Sequence, residues 1–596
     1  MVEKYLDLDI DYSRDSLFDQ LGIKRLQESY MKEDETSPQQ RFAFVSKQFG
    51  TGRDHAQRLY EYSSKHWLSY STPILSFGRS ARGLPISCFL PYLHDSSAGL
   101  VDTLSEVNWL SMLGGGIGIG IGIRSADDKS VGVLPHLRTY DASSLAYRQG
   151  RTRRGSYAAY LDISHPDIAI FLDMRKPTGD PNMRALNLHH GINIPDSFMQ
   201  IIERCMKDPE ANDDWELKDP HNGEVREVVS AKLLWQQVMD LRMHTGEPYL
   251  HFIDTSNRMM PQFQKDLGLS IRQSNLCSEI ILPTNKDRTA VCCLSSVNLE
   301  YYDEWKNDPL FLRDIAEMLD NVLQYFIDNA SDTIQRAKFS AERERSIGVG
   351  ALGFHGYLQR NNTPFEGALA KSINNEMFSH IKGKLDEANK ALGSIRGEAP
   401  DAIGTGQRFS HVMAIAPNAS SSIIMGNTSP SIEPYRANAY RQDTLSGSFL
   451  NKNKHLEKLL RSKPLTDDEI QEIWSSIMAN DGSVQHLEFL DEWEKDVFKT
   501  AMEIDQRWII EHAADRQHYI DQAQSLNVFF RPDSNVRYIH AVHFLAWKLG
   551  LKTLYYCRSE KLAKADKVSK KIERVVMQEI DLKAIADGDV CLACEG

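Results

Sequence analysis

From Thr72 to about Tyr556 short apolar or β-rich runs alternate with longer amphipathic stretches. The short runs are PISCFLP (85–91), GIGIGIGI (116–123), AAYLDI (158–163), LNLHHGINI (186–194), SEIIL (278–282), HVMAIAP (411–417) and TLYYC (553–557), each of strand length. Between them, RDIAEMLDNVLQYFIDNASDTIQRA (313–337) and NVRYIHAVHFLAWKLG (535–550) carry apolar residues at helical spacing. Such alternation predicts an α/β architecture around a buried, largely parallel sheet or barrel. Ahead of it, 1–71 is polar and helix-prone, with apolar spacing in SLFDQLGIKRLQESYM and RFAFVSKQFGTGRDHAQRLYEYSSKHWL, and reads as an N-terminal helical domain. The expected catalytic unit runs over 72–558. Segment 559–596 begins Lys- and Ala-rich and ends in CLACEG, where the last residues read as a mobile arm.

One run breaks the ordinary pattern. GGGIGIGIGIRS, from Gly114 to Ser125, resembles a phosphate-binding turn, but such a turn leads into a helix. Strict Gly/Ile alternation over Ile117 to Ile123 instead has the period of a strand whose glycine face is approached closely by another element.

Composition narrows the function classes. A chain of 596 residues with 41% hydrophobic and 25% charged residues can bury a large core. A formal charge of -13 argues against bulk attraction to nucleic acid or an anionic membrane. No apolar run approaches the roughly 20 residues of a membrane span, and the first residues lack a signal-peptide core, so the expected location is cytoplasmic. Eight cysteines are too few for a secreted disulfide scaffold. Cys292 and Cys293, and Cys591 and Cys594, form two close pairs about 300 residues apart, a spacing that suits dithiols exchanging electrons better than one metal site.

Several segments carry candidate chemistry. In SNLCSEI an extended backbone points Asn275, Cys277 and Glu279 to one face. A thiol can give and recover a hydrogen atom, a carboxylate can take a hydroxyl proton, and a carboxamide can hold a substrate between them. RQGRTRRGSYAAY, from Arg148 to Tyr160, offers forked phosphate donors or a solvated loop. PNASSSIIMGNTSPSIEP, from Pro417 to Pro434, presents amides and hydroxyls suited to an anion, or an ordinary Ser-rich turn. Tyr555 and Tyr556 are adjacent and suit either radical relay or core packing.

Read together, STPILSFGRSARGLPISC, SNLCSEI, AVCCLSSVNL, PNASSSIIMGNTSPSIEP, KTLYYC and the terminal CLAC, in that order, resemble the large, catalytic subunit of class I ribonucleotide reductase. The resemblance covers about Thr72 to the C-terminus. It implies a ten-stranded α/β barrel of two five-stranded parallel halves with a catalytic finger loop inside, and reduction of ribonucleoside diphosphates to 2'-deoxyribonucleoside diphosphates. A metal-containing radical-generating partner subunit would feed an oxidant through Tyr556 and Tyr555 to leave a thiyl radical on Cys277. Glu279 would be general base on the 3'-hydroxyl and Asn275 would hold the hydroxyls. Cys88 and Cys292 match the reducing pair. Cys293 competes for the second place, but neighbours on a strand face opposite ways. Cys591 and Cys594 would reopen the disulfide, themselves reset by thioredoxin or glutaredoxin. No metal site and no covalently bound cofactor are expected in the chain.

The resemblance also implies substrate contacts at Thr72, Ser87, Ser420 and Ser421, although Asn418 and Ala419 depart from the more polar or acidic residues of some members. It implies a homodimeric assembly with an allosteric dNTP/ATP specificity site using Asp95 and a loop bearing Arg151, Arg153 and Arg154. Effector and substrate would tighten each other reciprocally. Too little chain precedes Thr72 for both the helical domain and the extra ATP-binding domain of many members, so the expectation is no shut-down by dATP through such a domain. The rival enzyme reading is a cobalamin-dependent reductase, which would not need Tyr555 and Tyr556. The non-enzyme rival is a silent nucleotide-binding regulatory homologue, which would not need five redox cysteines.

Overall fold

A computed structural model describes residues 2–79, 83–147, 156–444 and 447–559. Cys591, Cys594, Arg151, Arg153 and Arg154 lie outside the described residues.

After a hairpin pairing Val2–Tyr5 with Leu8–Asp11, the N-terminal region forms three helices: α1 (Gln20–Ser29), α2 (Pro38–Phe49) and α3 (Gly52–Ser64). The start of α2 is written in its sequence. Ser37 and Gln40 exchange the reciprocal bonds of a capping box, and Pro38 occupies the first turn where no amide donor is needed. Phe42, Ala43 and Val45 on α2 and Ala56, Leu59 and Tyr60 on α3 are fully buried and join the main core.

The centre of the molecule is a ring of strands. The first half consists of β1 (Cys88–Leu90) continued past Pro91 by β2 (Tyr92–His94), then β3 (Gly116–Gly122), β4 (Tyr157–Asp162), β5 (Leu188–Ile194) and β6 (Tyr249–Phe252), each parallel to the next. The second half starts with β7 (Ala290–Asn298) parallel to β8 (Ile347–Leu352). Beside β8 runs 411–416, through Ile347 N to His411 O at 3.1 Å and Val349 N to Val412 O at 2.8 Å. Beside that runs 522–526, through the parallel bridge Ile415–Gln524, and then β9 (Thr553–Leu554), whose next residue donates from Tyr555 N to Leu526 O at 2.9 Å. The halves meet antiparallel at two seams. At one, Cys292 of β7 lies opposite Cys88 of β1. At the other, Leu250 of β6 lies opposite Leu554 of β9. The result is a closed ten-stranded barrel of two five-stranded parallel halves, as expected.

Parallel strands need crossover helices, which cover the outside and leave the strands buried on both faces. All nine residues of β7 are buried. One covering helix, α4 (Phe311–Asn329), packs its apolar face inward, with Ile315, Leu319, Val322 and Phe326 fully buried. The helical stretch expected over 313–337 is divided: α4 stops at Asn329, a short turn spans Asp332–Ile334, and a second helix runs from Gln335 to Glu344.

Between β6 and β7 the chain enters the barrel as a finger loop, and the glycines of β3 make room for it. A Cβ on Gly118 would lie 2.3 Å from Ser274 O and 2.6 Å from Asn275 Cα. The isoleucines of the same strand, Ile117 and Ile119, face the outer core and are fully buried. The run therefore serves close packing and not a phosphate turn. The strand expected at 278–282 is absent, and the backbone there is irregular. Every ring strand is already paired on both edges, so no ladder is open to a segment inside.

Gly118→Ala is expected to lower stability by about 1–3 kcal/mol through overpacking. Relief must also displace Asn275, so turnover is expected to fall by roughly 100-fold. Gly120→Ala, which meets only the end of the Gln273 side chain, is expected to lose less of both. Thermal unfolding and kcat of the two variants provide the check, and normal kcat in Gly118→Ala would contradict it.

Candidate active site

At the tip of the finger the backbone turns sharply. Ser278 N reaches Asn275 O at 3.4 Å, and Ser278 takes a left-handed φ of 67°. The convergence of Asn275, Cys277 and Glu279 therefore comes from a tight loop and not from the extended alternation expected of SNLCSEI. All three residues are fully buried. Buried backbone polar groups must find partners, and here the barrel wall supplies them. Tyr160 of β4 donates to Asn275 O at 2.7 Å, Thr553 of β9 donates to Ser278 O at 2.7 Å, and Ser525 donates to Cys277 O. Glu279 O accepts from Ala523 N at 2.9 Å.

The side chains are fixed with equal care. Asn275 Oδ1 accepts from Ile280 N at 3.0 Å, which orients its Nδ2 toward Cys88 Sγ at 3.2 Å. Glu279 Oε2 accepts from Ser525 Oγ at 3.0 Å, and its Oε1 lies 3.8 Å from Cys88 Sγ. Tyr555 directs its hydroxyl to Cys277 Sγ at 3.5 Å. The Tyr555 and Tyr556 rings lie 4.2 Å apart between centroids, and Tyr249 packs on both at 4.7 and 5.1 Å.

Cys88 and Cys292 face each other across the antiparallel seam, where directly opposed side chains are near neighbours. Gln522 Nε2 lies 3.3 Å from Cys292 Sγ. Burial pushes the Cys292 thiol far above its ordinary range, so at neutral pH it stays protonated and holds its hydrogen. Cys293 points the other way, its Sγ 3.4 Å from Leu319 O in the helical layer, and its thiol is also raised by burial. Cys557, next to the tyrosines, is raised by burial to about 11.

Thr72 and Ser420 meet the N-terminal region at one rim. Tyr30, just after α1, places its hydroxyl 3.2 Å from the Thr72 hydroxyl, and Arg25 of α1 donates to Ser420 Oγ at 2.9 Å. Ser420 and Ser421 lie in the first turn of α5 (Ala419–Ile424), where backbone amides have no partner within the helix. Asn418 precedes it in a left-handed conformation, and its Oδ1 accepts from Ser296 Oγ at 3.2 Å. Ser87 Oγ is buried without a hydrogen-bond partner among the described residues. Asp95 lies beyond β2 and accepts from Arg124 Nε at 2.8 Å, with His221 Nδ1 at 3.1 Å. Arg25, Tyr160, Tyr249, Ser296, Gln522 and Ser525 were not legible as site residues, because each is singular in its local sequence and acquires its neighbours only through the ring. Among the described residues no group of three or more His, Cys, Asp or Glu is arranged to hold a metal, and no helix is long and apolar enough to cross a membrane.

Comparison with known proteins gives a consistent result. The family model described as "Ribonucleotide reductase, all-alpha domain" matches residues 16–83, and "Ribonucleotide reductase, barrel domain" matches 86–402 and 399–557. The chain is similar to the ribonucleoside-diphosphate reductase large subunit of Invertebrate iridescent virus 3, at 55% identity over 94% of this chain and 96% of that protein. It is also similar to the large subunit of Caenorhabditis elegans, at 32% identity over 98% of this chain and 82% of that one. Among solved structures, the Actinobacillus ureae class Id ribonucleotide reductase alpha subunit superposes with a TM-score of 0.80, at 35% identity over 91% of this chain and 98% of that chain.

Burial orders the thiols by reactivity. With iodoacetamide at pH 8 and mass spectrometric readout, Cys205, which is partly exposed, is expected to alkylate well before Cys292, Cys293 and Cys557, which are buried and raised. Labelling of Cys292 as fast as Cys205 in the folded protein would contradict this.

Proposed function

This chain belongs to the ribonucleotide reductase large-subunit family, and on that premise we propose how its own residues reduce ribonucleoside diphosphates to 2'-deoxyribonucleoside diphosphates. The observation that carries the reading is the position of Cys277, with the Tyr555 hydroxyl 3.5 Å from its sulfur while the same loop places Asn275 and Glu279 against Cys88. One side of the thiol is an oxidant path and the other a reduction site.

In this reading a metal-containing partner subunit supplies the oxidant. Tyr556 and then Tyr555 are each oxidised by loss of an electron and a proton, and Cys277 gives its hydrogen atom to the Tyr555 oxygen. The Cys277 sulfur then takes the hydrogen from ribose C3'. Glu279 takes the 3'-hydroxyl proton, which its contact with Ser525 Oγ at 3.0 Å keeps it oriented to do. The 2'-hydroxyl leaves as water with a proton from Cys88, assigned to the 2' side. Cys88 and Cys292 together give two electrons and form a disulfide, the second thiol hydrogen going to C2' and the proton held by Glu279 returning to the 3'-oxygen, and Cys277 returns its hydrogen to C3'. The balance is one diphosphate and two thiols in, one deoxy-diphosphate, one water and one disulfide out. High thiol pKa suits Cys292, which must hold its proton until the sugar calls for it.

Thr72, Ser87, Ser420 and Ser421 are assigned to the substrate, with the diphosphate at the first turn of α5. Asp95 is assigned to a dNTP or ATP effector. Arg151, Arg153 and Arg154 would read that effector, and Cys591 and Cys594 would reopen the disulfide with thioredoxin or glutaredoxin behind them, which places the work in a reducing, cytoplasmic compartment. The working form is proposed to be a homodimer.

The test is reduction of CDP by the purified chain with and without a metal-containing partner subunit, with Cys277→Ser as control. Turnover is expected only with the partner and only with Cys277 present. Turnover without it that depends on added cobalamin would overturn the assignment.

A further inference from the structure

Tyr555 and Tyr556 are both buried, at 2% and 5% exposure, yet their electrostatic surroundings differ. Tyr555 has its hydroxyl on Cys277 Sγ and its ring against Tyr249. Tyr556 carries a cation on its ring face: the guanidinium carbon of Arg558 lies 4.2 Å from the ring centroid. That placement is built into the backbone. The strand Cys557–Ser559 pairs in parallel with Val528–Phe530, with Arg558 in register with Phe529. Just before that strand, Asn527 Oδ1 accepts from Tyr556 N at 3.1 Å, and Asn527 N donates to Glu433 Oε1 at 3.2 Å. Glu433 is buried, and burial pushes its carboxyl up to about 7 against the opposing pull of the Asn527 amide, Arg558 and Arg436. One frame thus holds the tyrosine backbone and a carboxyl group near the arginine lying over its ring.

A cation over an aromatic face is attracted by the electron-rich π system. Oxidation of tyrosine to the neutral phenoxyl radical draws density out of the ring and weakens that attraction. An arginine is charged at all working pH values, so the difference persists throughout the cycle.

We propose that Arg558 is a positioning residue for the radical, acting through Tyr556 to make the relay run inward. This rests on the assignment of Tyr556 and Tyr555 as the relay. In the step concerned, the O–H bond of Tyr555 breaks and that of Tyr556 forms, one electron and one proton passing together from Tyr555 to the Tyr556 radical. Arg558 stabilises closed-shell Tyr556 more than its radical, so the equilibrium favours the radical on Tyr555, beside Cys277. The partner's oxidant remains the only electron acceptor required.

The experiment uses the full chain reconstituted with its radical-generating partner, CDP and ATP. In a Tyr555→Phe background the relay stops at Tyr556, and electron paramagnetic resonance counts the tyrosyl radical there, identified by its loss in Tyr556→Phe. Adding Arg558→Gln is expected to raise that radical roughly two- to tenfold, from the usual strength of cation–π contacts, and Arg558→Lys to fall between. In the otherwise unchanged chain Arg558→Gln should lower kcat and leave KM for CDP unaltered; loss of folded chain would lower the Tyr556 radical count as well as kcat, whereas the proposal raises the one and lowers the other. Equal radical counts with and without Arg558 would overturn the proposal alone. Absence of any Tyr556 radical in Tyr555→Phe would overturn the relay and the proposal with it.

Discussion

A sulfur radical in water would be quenched, and a thiol held loosely would not meet both a tyrosine oxygen and a ribose carbon. For the proposed radical on Cys277 both demands would be met by its place on a loop through the middle of a closed ring of strands. Closure has a cost. With every strand edge paired, the loop has no ladder to join, and its buried backbone groups need individual partners. Tyr160, Ser525 and Thr553, from three different ring strands, provide them. The loop is thereby tied to both halves of the barrel, and the glycines of β3 are what allow it to approach backbone to backbone.

The same closure creates the two seams where chemistry is separated. At the β1–β7 seam the antiparallel register sets Cys88 against Cys292 and turns Cys293 outward to the helical layer. At the β6–β9 seam the strand end delivers Tyr555 and Tyr556 on the opposite side of Cys277. In the proposed cycle, electrons for the sugar and the oxidant that starts it would therefore approach the thiol from different walls. Asn275 and Glu279, on the same loop, reach toward Cys88, and Glu279 also accepts from Ser525.

Much of this is legible in the sequence. The period-two run of Gly and Ile in 117–123 identified a strand whose glycine face another element approaches, and that element is the finger loop. The alternation of short apolar runs with amphipathic stretches identified the barrel class. Around the site the structure departs from the sequence pattern for a physical reason. Asn275, Cys277 and Glu279 converge through a turn at Ser278, a left-handed position that an isolated Ser does not advertise. The run 278–282 has strand composition but no free edge to pair with. Ser525 and Gln522 carry no local signal, since their role exists only where 522–526 passes the loop. The resemblance to a known family supplied the roles of the cysteines, which spacing alone left open.

The account stands or falls on Cys277 as the transient radical with Glu279 as its proton partner. The most direct measurement compares CDP binding and dCDP formation for Glu279→Gln in the presence of the partner subunit. Gln keeps the shape and the contact to Ser525 but cannot take the 3'-hydroxyl proton. The account predicts unchanged CDP affinity and a fall in turnover of about 100-fold or more, the usual worth of a general base. A variant that binds CDP and turns it over at the normal rate would contradict it.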